Sequence, residues 1–198
     1  MITLYSLAPS GNAQKVRMAL RFLGLVFEEV QLTGGAHKRP PFTDLKPLGQ
    51  VPVLVDDEVV LRDSQAILVY LAAAYRPGEW DGYDAAERGR IAHWLSLAAD
   101  EIAQGPNRLR LAALFGVTID PIAAAARTKR ALDLVERQLE ASGWLEGGRL
   151  TIADLACAPY LALRPQGGVD LGAYSNVRAW TARVAALPGF PVMTGWGA

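Results

Sequence analysis

Up to about residue 76 the apolar positions come in short strand-like runs separated by helical stretches, and beyond it they recur only at helical spacing. Ile2–Ser6 reads as a strand. After the break Pro9-Ser10-Gly11-Asn12, the residues Val16, Ala19, Leu20 and Leu23 share a helical face, with Gly24 placed to end the helix. Residues 26–32 read as a second strand, and a helix joining two strands in so short a span favours a right-handed crossover with parallel pairing. Residues 53–55 and 59–61 flank Asp56-Asp57-Glu58, the pattern of a hairpin, and Ser64 opens an apolar helix through Ile67, Leu68 and Leu71.

Arg76-Pro77-Gly78 interrupts this pattern. Further on, Ile91, Trp94, Leu95, Ala98 and Ile102 form one apolar stripe, read as a long first helix that runs on to Arg108 and Arg110. Asp120-Pro121 supplies an N-cap and an N1 proline for an alanine-rich helix, and Thr151-Ile152-Ala153-Asp154 resembles a capping box. The element order is β-α-β, then β-β-α, then helices. It predicts a thioredoxin-like α/β domain over 1–76, a linker over 77–83 and an all-α domain over 84–198.

With 20 basic and 20 acidic residues among 198, no overall field favours nucleic acid or anionic membrane, so neither is expected as a partner. One cysteine, Cys157, and two histidines, His37 and His93, are too few for a disulfide framework or a usual zinc site, and no metal is expected. Neither a signal-like N-terminus nor a stretch of bilayer-crossing length is evident, which points to the cytoplasm.

Two places carry candidate chemistry. In Gln50-Val51-Pro52-Val53-Leu54 a proline stands at the entrance of an apolar strand, where its missing N–H is normally excluded. A cis Val51-Pro52 bond that turns the Val51 peptide groups toward an extended ligand is one reason; an edge strand without a ligand is the other. In Asp63-Ser64-Gln65-Ala66-Ile67 a carboxylate and a hydroxyl meet at a helix N-terminus, which suits the ammonium and carboxylate of a free amino-acid end. Either residue also serves as a plain helix cap.

Together with the first loop, these segments resemble the glutathione transferase family, specifically its bacterial, theta-like members that use a serine. The resemblance is carried by Leu4-Tyr5-Ser6-Leu7-Ala8-Pro9-Ser10-Gly11-Asn12 with Lys15-Val16-Arg17, by His37-Lys38, by 47–54, by 63–67 and by the capping box at 150–154. It implies that glutathione is the co-substrate. Val51, preceding Pro52, would bond its cysteinyl backbone, Asp63 and Ser64 its γ-glutamyl end, and His37, Lys38 and Gln50 its glycine carboxylate. It also implies a homodimer active in detoxification, and a small hydrophobic electrophile lying against helical residues such as Trp94, Leu109 and Phe115.

A thiol of pKa about 8.5 is only about 3% ionised at pH 7, and lowering that pKa by about two units takes about 2.7 kcal/mol of thiolate stabilisation. Ser10, before the first helix, is the candidate donor to the sulfur, assisted by Asn12 or nearby N–H groups; both residues are also candidate N-caps. Tyr5 is the rival, as other branches of the family use a tyrosine there. The expected activity is conjugation. Disulfide or peroxide reduction at the same site, and a non-catalytic binding module of the same fold, are the alternatives. Cys157 is expected in the core. Arg108 and Arg110, and Asp100 and Glu101, are assigned either to the cleft or to a subunit interface.

Overall fold

The computed structural model describes residues 1–197. Strands β1 (Ile2–Ser6), β2 (Phe27–Gln31), β3 (Val53–Asp56) and β4 (Val59–Leu61) form one sheet in the order β2-β1-β3-β4. β1 and β2 pair in parallel, with Leu4 opposite Glu29, and β3 runs antiparallel to both β1 and β4, with Leu54 opposite Leu4 and Leu61. Alternation along β1 decides which side is core: Ile2, Leu4 and Ser6 are buried, whereas Thr3 and Tyr5 on the other face are half-buried.

The buried face is covered by α1 (Gly11–Phe22) and α3 (Ser64–Tyr75); the opposite face receives the short α2 (Phe42–Leu45), whose Phe42 ring meets Tyr5 at 5.9 Å. α1 ends as its sequence suggests, with Leu23 as C-cap and Gly24 left-handed behind it.

Beyond α3 the chain is helical: α4 (Ala85–Ala99), α5 (Glu101–Gln104), α6 (Pro106–Phe115), α7 (Pro121–Ser142), α8 (Ile152–Ala162) and α9 (Ser175–Ala185). The single long helix expected from the Ile91–Ile102 stripe is broken twice. α4 stops at Asp100, and a second break falls at Gly105, ahead of Pro106, which lacks an N–H for continuing the ladder. Gly105 has no room for a Cβ, which would meet the Glu101 carbonyl and Thr128 of α7. The break turns α6 so that Arg110, but not Arg108, reaches the space between sheet and helices. Arg108 instead donates to the Thr118 carbonyl.

α8 is the hub. Every residue of it is buried, and it packs on α1, α3, α4 and α9, so one apolar core runs through both parts of the chain. Its capping box forms as expected, with Thr151 Oγ1 accepting from Ala153 N–H at 3.3 Å and Asp154 accepting from Thr151 N–H at 2.9 Å. Asp154 is fully buried, and it also accepts from Leu145 N–H and Trp180 Nε1–H. Burial pushes its carboxyl up to about 6 while these donors pull the other way. Cys157 is buried in α8, its thiol driven far above the ordinary range by desolvation.

Candidate functional site

The loop that leads from β1 into α1 is held from both sides. Arg17, nearly buried, pairs with Glu29 at 2.5 Å and donates through Nη2 to Ser6 Oγ and to the Leu7 carbonyl, both at 3.0 Å. From the helical part, Arg110 donates to the Pro9 carbonyl at 3.0 Å. Between these anchors Ser10 N–H bonds the Leu7 carbonyl at 3.0 Å, and Ser10 becomes the N-cap of α1, its Oγ accepting from Ala13 N–H at 3.1 Å. Capping uses a lone pair and leaves the hydroxyl proton free to donate.

A cleft of about 740 Å³ opens in front of this loop. All nine residues singled out from the sequence line it: Ser10, Asn12, His37, Lys38, Gln50, Val51, Pro52, Asp63 and Ser64. They arrive from separate elements, namely the α1 N-terminus, a 3₁₀ turn at Ala36–Lys38, the entrance to β3 and the α3 N-terminus.

The Val51-Pro52 bond is cis, and neither the N–H nor the C=O of Val51 has a protein partner among the described residues. His37 Nδ1 is buried without a hydrogen-bond partner among the described residues. The His37 turn packs so closely on the loop before Gln50 that a Cβ at Gly49, which is left-handed at φ 55°, would strike the His37 carbonyl. Asp63 caps α3, and both bonds, from Gln65 N–H at 2.9 Å and Ala66 N–H at 3.1 Å, go to Oδ1. Its Oδ2 has no hydrogen-bond partner among the described residues, and Asp63 lines the cleft. Ser64 is buried, with its hydroxyl between Gln65 Oε1 and Asn12 Oδ1, the latter at 3.4 Å. The Asn12 side chain therefore reaches the Ser64 end of the cleft.

Several expectations change here. Tyr5 does not line the cleft; it packs on Phe42 beneath the sheet. Trp94 is a core residue whose carbonyl accepts from the Cys157 thiol, and Leu109 is likewise absent from the lining. Phe115 does line the cleft as expected, and the other apolar lining residues are Leu7, Pro9, Leu111, Val117 and Tyr160. Asp100 and Glu101 are engaged within the chain, by Arg127 at 3.0 Å and Arg130 at 3.1 Å, tying α5 to α7.

Sequence reasoning did not reach Tyr160 or Lys15. Tyr160, on α8, lies against Gly11, and burial pushes its hydroxyl up to about 12 while the Arg110 charge and then Asn12 N–H pull it down. Beneath it lies Lys15, whose ammonium sits 5.2 Å from the Tyr160 ring centre; desolvation lowers it to about 8, against attraction to Cys157 and Asp63. A single turn of α1 signals neither contact, because both depend on where α8 lands.

A thioredoxin-like sheet domain faces an all-helical unit across a cleft that is polar at one end and apolar at the other. Comparison with known proteins gives the family. Residues 4–79 match the family described as glutathione S-transferase, N-terminal domain, and residues 118–188 match glutathione S-transferase, C-terminal domain. The chain is 33% identical to glutathione S-transferase 3 of Zea mays over 96% of this chain and 91% of that one. It is 29% identical to the disulfide-bond oxidoreductase YfcG of Escherichia coli over 95% and 92% of the two chains. Among solved structures, a glutathione S-transferase from Xanthobacter autotrophicus Py2 superposes with a TM-score of 0.87 at 31% identity, covering 98% of each chain. The chain belongs to the glutathione S-transferase family.

Proposed function

We propose that this glutathione S-transferase binds reduced glutathione extended along the cleft and joins its sulfur to a hydrophobic electrophile. In this reading a first unit over 1–76 supplies the glutathione site, and a helical unit over 84–198 supplies most of the apolar wall. Asp63 Oδ2 takes the γ-glutamyl ammonium and Ser64, at the α3 N-terminus, its carboxylate. The unpaired peptide groups of Val51 pair with the cysteinyl backbone, and His37, Lys38 and Gln50 receive the glycine carboxylate. The sulfur then lies at the α1 N-terminus beside Ser10. The thiol proton leaves to water, the thiolate forms a C–S bond to the electrophilic carbon, and in a substitution the leaving group departs with its electron pair.

The observation that carries this reading is the geometry of Ser10. Its oxygen is fixed by Ala13 N–H and its proton is unspent, at a helix end that opens on the cleft. A charge-assisted hydrogen bond together with a helix N-terminus supplies about the 2.7 kcal/mol that a two-unit fall in thiol pKa takes.

Ser10→Ala tests it. Titrating the thiolate absorbance of the bound tripeptide is expected to give a pKa raised by one to about two units, with kcat/KM on an aryl halide down about 10- to 100-fold. If both stay unchanged, Ser10 has no such role.

Disulfide or peroxide reduction at the same site is the second reading, and the likeness to the Escherichia coli oxidoreductase favours keeping it. Comparing turnover of a glutathione disulfide with turnover of an aryl halide separates the two.

A further inference from the structure

Arg110 forms part of the wall between two cavities. Its side chain, 2% exposed, lines the main cleft beside Leu111, Phe115 and Tyr160, and it also lines a second cleft of about 480 Å³ bordered by Gln166 and Met193. Nε donates to Gln166 Oε1 at 2.6 Å and Nη2 to the Pro9 carbonyl at 3.0 Å, whereas Nη1 has no protein acceptor among the described residues. Both acceptors are neutral, so they orient the guanidinium without cancelling its charge.

An uncancelled buried charge is expensive to keep. The neighbouring buried arginine, Arg17, is handled differently and carries Glu29 against it. No carboxylate pairs with Arg110 among the described residues: Glu29, which lines the second cleft with it, is taken by Arg17, and the one acid that lines the main cleft is Asp63, at the α3 N-terminus. Desolvation accordingly weakens the hold of Arg110 on its proton. With glutathione placed as above, Asp63 is consumed by the ammonium group, and the glycine carboxylate is met by His37 and Lys38. Arg110, which lines the cleft beside Leu111, Phe115 and Tyr160, then carries a charge that no other acid of that lining answers.

We propose that Arg110 makes this end of the cleft selective for second substrates that carry a carboxylate on an apolar or aromatic frame. The inference rests on the glutathione reading above. A planar guanidinium held by its other nitrogens presents its remaining N–H groups in a fixed direction, which suits a carboxylate oxygen. Leu111, Phe115 and Tyr160 cover the hydrocarbon part of such a molecule.

The test is calorimetric titration of the full chain with S-hexylglutathione and S-(5-carboxypentyl)glutathione, ligands of matched length that end in a methyl and a carboxylate. The carboxylate is expected to bind about tenfold more tightly, about the factor that one charge-assisted hydrogen bond supplies. Arg110→Met is expected to abolish that preference and Arg110→Lys to retain part of it. Reading the ratio of the two affinities cancels any general weakening that follows from slackening the Pro9 contact. Equal binding of the two ligands by the unaltered chain overturns the proposal, and so does a preference that survives in Arg110→Met. The comparison on the unaltered chain decides even if the variants do not fold. S-hexylglutathione binding without a carboxylate preference removes this inference alone, whereas no binding of either ligand removes the glutathione reading and this one with it.

Discussion

Asp63 caps α3 through Oδ1, which accepts from two backbone N–H groups, while Oδ2 has no partner among the described residues. In the proposed reading Oδ2 also takes the ligand's ammonium group. Substitution separates these duties. Asp63→Asn retains an acceptor for the cap and removes the charge, so glutathione affinity is expected to fall about tenfold while the thermal midpoint barely moves. Asp63→Ala loses both, with a further cost of about 1 kcal/mol in stability. Calorimetry beside thermal melting checks the pair; equal affinity in Asp63→Asn and the parent would leave Asp63 as a cap alone. The sequence raised cap and clamp as rivals at this position, and in the structure the cap occupies Oδ1 alone. What it did not signal is Lys15, which in sequence is one more polar position on an amphipathic helix. Its burial is decided by Tyr160, 145 positions further along.

Among the elements, α1 and α8 set each other's position. Gly11 opens α1 where the Tyr160 ring comes down on it, and a Cβ there would be driven into that ring. Gly11→Ala gains helix propensity in isolation but is expected to destabilise the protein by about 1–3 kcal/mol, because the ring and the residues behind it must shift. Urea unfolding monitored by fluorescence measures this, and a variant as stable as the parent would mean that Tyr160 moves aside freely. The helices themselves were largely legible: the Asp63, Asp120 and Thr151 caps and the Gly24 stop all stand where local chemistry puts them. The α4–α5–α6 breaks were not. An apolar stripe continues across Asp100 and Gly105, and what prevents a straight helix is the close approach of α7 at Thr128.

For the whole molecule, the buried Lys15 ammonium makes one contribution to how stability depends on pH in the alkaline range. Its folded-state pKa, about 8, lies below the unfolded value of about 10.4. Between those values the unfolded chain holds more protons, so this group's contribution to stability rises with pH there, and its full cost is present below about pH 8. Asp63, Cys157 and Tyr160 are the titratable groups around it. Lys15→Met is expected to be more stable than the parent at pH 7, with that advantage shrinking by about 2 kcal/mol by pH 9.5. Urea midpoints at the two pH values measure it, and a constant gap would mean that Lys15 keeps its proton throughout.

At this scale the succession of a sheet-bearing part and a helical part was visible in the sequence because the hydrophobic period changes along it. The nine cleft residues were visible because each belongs to a local motif. Of the apolar wall only Phe115 was reached, since Leu111 and Val117 join it only after the turn at Gly105 and Pro106.

The bond from Arg110 to the Pro9 carbonyl has a consequence for how such a protein diversifies. The residue next to Ser10 is tied directly to the helix that forms the far wall of the cleft. A lineage that alters α6 also disturbs the turn at Pro9 and Ser10, so the two walls of the cleft do not change independently. Substitutions in α6 would have to be followed by compensating changes around Pro9, and the order in which they arise would constrain which substrates descendants can reach.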